Sequence, residues 1–280
     1  MTQIGRILKY IILVLATLFF LSPFLWALTT SFKKDAGVVS GATYLPYVEY
    51  EPTLDGWRKI FGAAGGIDIR KPYLTTLKLT VVSSSIAVIL GSMAAYGLSR
   101  FTYGGPRFGN KDITFFFVSQ RIMPPAVLAI PYFTLFKNLK LLDTYKGLVI
   151  VYVAMLIPVV VWVMVDFYSN IPVEITEAAL IDGCTPLSAY WRVILPISTP
   201  GLVVALLISA ILAWNDFFFS FTLTFSKVIT LPVSVVALNS SKVPWWSLSA
   251  SSLISVVPLI ALAIVLERYL MRTSLAGAVK

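Results

Sequence analysis

Six stretches of this chain, residues 7–30, 74–98, 113–136, 147–168, 201–223 and 248–266, are apolar over a length that leaves few structural options. A helix rises about 1.5 Å per residue, so about 20 residues cross the hydrocarbon of a bilayer. None of the six alternates apolar and polar residues as a barrel strand does. In hydrocarbon every backbone N–H and C=O must find a partner within its own segment, which a helix provides. The expected fold is an all-α membrane protein of six transmembrane helices. Composition agrees, with 58% hydrophobic and 12% charged residues against roughly 45–50% and 25% in a soluble domain. The first run follows Arg6 and Lys9, is long for a signal-peptide core and lacks a convincing small-x-small cleavage site, so it reads as an uncleaved span.

What the chain lacks narrows its chemistry. It has no histidine and a single cysteine, Cys184. His-ligated haem, an HExxH zinc site, a Ser-His-Asp triad, an intrachain disulfide and a thiolate metal cluster are thereby excluded, and no metal site is expected. The net charge of +9 comes from Lys and Arg scattered through the connections. That placement suits anionic headgroups, not nucleic acid. The nearest approach to a phosphate-binding loop, GGPRFGNK at 104–111, fails because Asn110 separates Gly109 from Lys111. Asp112 also stands where a Mg²⁺-binding hydroxyl is needed.

Connections of contrasting character join the spans. The longest, 32–72, carries a possible amphipathic turn in Leu54, Trp57, Ile60 and Phe61. With both termini on one side, nine Lys and Arg fall on that side and eleven on the other, so charge alone does not orient the molecule. No repeat of span pattern relates the first three spans to the last three, which counts against the two-repeat transporter folds.

The most informative connection is 169–199, which contains EAALIDGCTPLSAYWRVILP at 177–196. Pro172 can occupy the first turn of a helix, and Glu174 and Glu177 favour its positive end. Ala178, Ala179 and Leu180 continue it, and Gly183 is placed to stop it in a left-handed cap. Thr185 and Pro186 read as the N-cap and first position of a second helix, which Pro196 and Pro200 end. The pattern predicts a helix, a glycine turn and a second helix between spans four and five. Taken without the residue identities, such a loop is more often a connector lying on the membrane.

The identities change that reading. Glu177-Ala178-Ala179, three residues, Gly183, nine residues and Val193-Ile194-Leu195-Pro196 resemble the EAA signature of ABC-importer permeases, with Val193 in place of Ile. Asp182 before the glycine also fits. The resemblance runs from about Tyr73 to the C-terminus. Met123-Pro124-Pro125, Ile130-Pro131 and Leu141-Leu142-Asp143-Thr144 look like the third span and following turn of sugar-importer permeases. Trp214-Asn215-Asp216-Phe217 is similar to their Trp-Asn-Glu-Phe, with Asp for Glu. Thr230-Leu231-Pro232 and the tail from Leu275 to Lys280 point to the maltose-permease type, its smaller six-helix subunit.

The resemblance implies a type I ABC-importer permease fold, with a single permease domain over 1–280, a core over about 73–266 and a cytoplasmic coupling loop over 169–199. It implies ATPase coupling by Glu177, Ala178, Ala179, Asp182, Gly183, Leu195 and Pro196. No cofactor is expected in this chain; ATP and Mg²⁺ belong to a dimer of cytoplasmic ATP-binding subunits. The other implied partners are a second permease subunit, an extracytoplasmic substrate-binding protein and the lipid bilayer of a bacterial or archaeal plasma membrane. Both termini are then cytoplasmic, and ATP hydrolysis, the enzymatic step, lies outside this chain.

Within the spans, Arg121 lies near mid-bilayer, where an ionisable group by default faces a partner or a wet cavity. Pro124 and Pro125 beside it must disrupt the helix, as a cavity lining allows. Arg121, Pro124, Asn215 and Asp216 are candidate substrate-pathway residues. An ion pair from Arg121 to Asp216 or Asp166 is an equal alternative. Trp245-Trp246 suits an interfacial aromatic belt better than a sugar-stacking site. The implied activity is ATP-driven import of an oligosaccharide, monosaccharide or polyol. A glycerol-phosphate importer permease is the alternative, and an ion-coupled secondary transporter using Arg121, Asp166 and Asp216 is a more distant one.

Overall fold

The computed structural model describes residues 3–34, 44–62, 68–105, 108–240 and 244–277. The described residues are helical apart from turns and two isolated bridges, Pro46 with Tyr50 and Gly105 with Phe108. They form two compact units.

The first unit comprises 1–71 and 234–258. It begins with α1 (Gln3–Thr30), whose apolar window contains no buried residue. The amphipathic turn anticipated near 54–61 is α2 (Asp55–Ile60), which buries Ile60. Gly56 lies against Trp246, where a Cβ would come within 2.8 Å of the indole. The Lys59 amine sits 5.6 Å from that ring's centroid, a cation–π contact. Trp246 is therefore buried against this turn, while Trp245 is exposed. Helix α11 (Leu231–Ser240) ends in this unit and α12 (Trp245–Gly277) begins there.

The second unit, 72–233 with 259–280, holds the principal core. Most of α3 (Arg70–Arg100) belongs to it, with α6 (Tyr145–Ser169) and α9 (Thr199–Trp214). Close approach of these helices depends on missing side chains. A Cβ on Gly91 would lie 2.8 Å from Val160, and one on Gly201 2.6 Å from the Phe167 ring. Without a hydrophobic drive between helices in lipid, such small-residue contacts supply the packing.

Two of the six anticipated spans are not single helices. The third is α4 (Asn110–Ser119) and α5 (Pro125–Asn138). Pro124 takes an extended backbone before Pro125, which opens α5. A tandem proline removes two N–H donors and pushes the preceding residue out of the helical region. The fifth is α9 and α10 (Phe218–Leu223), broken at 215–217. There the Asn215 side chain donates to the Ile211 carbonyl at 2.9 Å, and Asp216 Oδ2 accepts the Ser220 amide at 3.2 Å. Local polar groups thus take over backbone partners that a continuous helix would use. Among the described residues four helices are long and apolar enough to cross a membrane unaided, or five if the pair 186–197 and 199–214, bent by 82°, counts as one span.

Asp112, which spoils the phosphate-loop pattern, has a local role. Its carboxylate accepts the Gly109 amide at 2.8 Å and closes the N-terminus of α4.

On the connection between α5 and α6, Asp143 has a positive φ of 54°. Its two carboxylate oxygens accept the backbone amides of Phe225, Ser226, Lys227 and Val228 at 3.0–3.2 Å. Its own amide donates to the Leu223 carbonyl. Burial pushes this carboxyl's pKa up, but the amides of Lys227, Phe225, Val228 and Ser226 outweigh it and hold the group at about 2.

Candidate functional site

The loop between spans four and five consists of α7 (Val173–Ile181) and α8 (Pro186–Ile197). Pro172 precedes α7 as its N-cap, not as a first-turn residue. Gly183 ends the helix at φ +87°, the left-handed cap expected of it. The Gly183 amide donates to the Leu180 carbonyl at 3.1 Å and the Cys184 amide to the Ala179 carbonyl at 3.0 Å. Together these form a Schellman cap, which satisfies two end carbonyls. Thr185 then caps α8, its hydroxyl accepting the Ser188 amide at 3.2 Å.

Helix α8 widens to a π turn at Tyr190–Ile194 and runs through Pro196 to Ile197. At Ser198 the chain bends by 82° into α9. The buried Ser198 hydroxyl donates to the Ile194 carbonyl at 2.6 Å, and Pro200 lies in the first turn beyond the bend. The second helix therefore ends at Ser198 between the two prolines, and not at Pro196.

The loop is held from behind by one stripe of α3. Ser92 Oγ and the Tyr190 hydroxyl are 2.8 Å apart. The Tyr96 hydroxyl donates to the Pro186 carbonyl at 3.3 Å, and its ring lies 5.2 Å from that of Tyr190. An Arg100 Nη donates to the Ile171 carbonyl at 2.8 Å. Residues 92, 96 and 100 share a helix face at four-residue spacing. Reasoning from sequence missed all three, although an i, i+4, i+8 row of polar and aromatic residues closing an apolar span was a readable signal.

The loop's outer side is different. Glu177, Ala178, Asp182, Gly183 and Pro196 are exposed, whereas Ala179 is buried and Leu195 half-buried. Apolar side chains accompany them, with Ile181 86% and Leu187 55% exposed. Nothing lies within 4 Å of the place a Gly183 Cβ would occupy.

A separate cavity of about 270 Å³ is lined by Gln120, Arg121 and Met123 at the α4–α5 break and by Asp216 at the α9–α10 break. Tyr132, Tyr152, Leu212 and Phe219 are also on its walls. The structure thus brings Arg121 and Asp216 to one cavity. Asn215 and Pro124 are exposed beside the two breaks and do not line it. Arg121 makes no ion pair to Asp216 or Asp166; among the described residues the one ion pair is Arg70 with Asp68 at 2.9 Å. Asp216 instead accepts the Tyr152 hydroxyl at 2.7 Å, and Ser220 Oγ lies 3.3 Å from the same carboxylate oxygen. Tyr152 and Ser220 carried no signal in the sequence, being ordinary hydroxyl residues inside apolar runs.

Residues 87–274, which contain both the loop and the cavity, match the family described as binding-protein-dependent transport system inner membrane component. The chain belongs to that family. It is similar over nearly its whole length to curated members. The trehalose/maltose transport system permease protein MalG of Thermococcus litoralis is 29% identical, with 98% of this chain and 97% of that protein covered. The trehalose transport system permease protein SugB of Mycobacterium tuberculosis is 31% identical, with 93% and 92% covered. A chain in the crystal structure of a bacterial ABC transporter involved in alginate import shares the fold, with a TM-score of 0.75 at 24% identity over 95% of this chain and 96% of that one. As an inner-membrane permease the chain is a transport component, which displaces the ion-coupled secondary-transporter reading.

Proposed function

We propose that this chain is one permease subunit of an ATP-driven, binding-protein-dependent importer of a carbohydrate or polyol. The observation that carries the reading is the 169–199 loop. It has a rigid glycine-capped pair of helices, an exposed side with Ile181 and Leu187 uncovered, and a tyrosine and serine anchor behind. An exposed apolar surface on an anchored element suits a protein partner. In this reading that partner is a cytoplasmic dimer of ATP-binding subunits, which holds the ATP and Mg²⁺ and touches Glu177, Ala178, Ala179, Asp182, Gly183, Leu195 and Pro196. Closure of the dimer pushes α7 and α8, and the pathway passes from inward- to outward-facing, a bistable change biased by ATP on one side and a loaded binding protein on the other. The loop and both termini face the cytoplasm.

Carbohydrate cargo is supported by relatives whose names specify trehalose, maltose and, in Streptomyces coelicolor, diacetylchitobiose. The pathway passes Arg121 and Asp216, with a second permease subunit completing the channel and Asn215 and Pro124 at its edge. A glycerol-phosphate cargo is the second reading. It is favoured by Arg121, an exposed guanidinium on the cavity wall without an ion pair among the described residues.

Reconstitution tests both. The tagged chain, expressed with its neighbouring transporter genes, should retain an ATP-binding subunit. Proteoliposomes with the binding protein should take up radiolabelled maltose, trehalose or diacetylchitobiose only when ATP is supplied. Uptake confined to glycerol phosphate selects the second reading, and ATP-independent uptake overturns both.

A further inference from the structure

We infer that Tyr152, Asp216 and Ser220 form a hydroxyl-reading subsite, so that this subunit itself selects cargo within the membrane. The inference rests on the carbohydrate reading above. The three side chains come from two helices and a break; Tyr152 and Asp216 line the cavity, and Ser220 is buried beside them. The Tyr152 hydroxyl lies 2.7 Å from Asp216 Oδ2 and 2.6 Å from Ser220 Oγ. Tyrosine has one hydroxyl proton, and a carboxylate only accepts. With that proton on Asp216, the short contact to Ser220 requires the serine to donate to the tyrosine oxygen. Both protons are then used inside the trio. What remains toward the cavity is acceptor capacity: carboxylate lone pairs with no proton of their own to offer.

A surface of ordered acceptors is matched by a ligand rich in hydroxyl donors. Across the cavity Gln120 and Arg121 supply donors for the oxygens of the same ligand. Tyr132 and Phe219 both line the cavity, their rings 5.8 Å apart and edge to face, and they give it an apolar wall for the C–H face of a sugar ring. The volume of about 270 Å³ falls just below the usual range of ligand cavities, which begins near 300 Å³. One ring of a longer sugar fits this description. The rest of the cargo is left to the second subunit.

The trio has a reason to discriminate. A site built to hydrogen-bond a hydroxyl leaves its own polar groups unpaired when that hydroxyl is missing, and rejects the deoxy analogue strongly. Tyr152 holds Asp216 Oδ2 and the serine in one geometry. It therefore acts as a positioning residue for the acceptor that the cargo meets.

The test uses the whole transporter in proteoliposomes with its binding protein, and whichever of maltose, trehalose or diacetylchitobiose the wild type imports. Because the binding protein sets apparent affinity, the informative quantity is sugar delivered per ATP hydrolysed. Tyr152→Phe and Ser220→Ala should keep ATPase stimulation by loaded binding protein within about twofold, yet lower sugar per ATP by about tenfold, the size of one lost specificity contact. They should also shrink the preference for the native sugar over its monodeoxy derivatives. If uptake and ATPase fall together in both variants, or if the deoxy preference is unchanged, the subsite does not exist. That failure differs from failure of the carbohydrate reading, which appears in the wild type as absent sugar uptake.

Discussion

The 169–199 loop and the cavity are both interruptions of apolar helix, yet they are built in opposite senses. The loop faces outward. Its polar and aromatic anchors, Ser92, Tyr96 and Arg100, lie behind it, and its free side shows Ile181 and Leu187. The cavity faces inward, with polar groups on its wall and apolar helix behind them. The loop keeps its hydrogen bonds on the scaffold side, and the cavity turns them toward the gap, as the proposed roles of a partner surface and a solute path require. The loop uses glycine and proline for its turn, whereas the cavity uses tandem proline and Asn-Asp.

The sharpest way to break this contrast is to charge the loop's free side. Ile181→Asp or Leu187→Asp should reduce retention of the ATP-binding subunit by at least about tenfold, equivalent to about 1.4 kcal/mol. Its own thermal stability should move by no more than about 0.5 kcal/mol, as for other surface changes. Co-purification with thermal unfolding measures both. A destabilised chain with normal retention would mean that these side chains pack within the subunit.

Cutting the anchor should do the reverse. Tyr190→Ala removes a buried ring and its Ser92 bond, with an expected loss of about 3–5 kcal/mol. Tyr190→Phe loses about 1 kcal/mol and keeps the packing. Uptake per ATP in Tyr190→Phe should fall while subunit retention holds.

The Asp143 clasp lies apart from both breaks and is tested by acid. Its folded pKa of about 2 is below the usual unfolded value of about 3.9. Its stabilisation is therefore complete above about pH 4 and is lost as pH falls toward 2. Asp143→Ala should lower stability at pH 7 by about 1–2 kcal/mol, since it orphans the amides of 225–228. The difference from wild type should shrink below about pH 4 and be lost as pH falls through 2 in an unfolding series.

The smallest expected effect is at Gly183. The site is open, so Gly183→Ala should cost only the backbone strain of a positive φ, about 1 kcal/mol. Gly183→Trp should add little further instability but should block the ATP-binding subunit. Equal retention in the two variants would show that no partner approaches this turn.

How much was legible followed the range of the interactions. The glycine cap, the Thr185 cap and the α4–α5 break were readable because each is decided within four residues by glycine, threonine or proline chemistry. The position of Arg121 was readable from its cost in lipid, though not its lack of an ion pair with Asp216. Asp216 instead bonds Tyr152, 64 residues away in sequence. The break in span five was missed although its partners lie within four residues, because Asn and Asp interrupt a helix only when their side chains turn back to the backbone. The clasp at Asp143 was missed because its amides are more than 80 residues away.

In the proposed coupling, the bend at Ser198 would make α8 and α9 the two arms of a bell crank. Their 12 and 16 residues are about 18 and 24 Å long at 1.5 Å per residue. With the pivot fixed, each ångström of sideways travel at the near end of α8 becomes about 1.3 Å at the far end of α9, turned through the 82° of the joint. The far end of α9 is Trp214, two residues from Asp216. The gearing is set by helix lengths alone: removing one turn from α9 would bring the ratio close to unity, and lengthening it would trade force for reach.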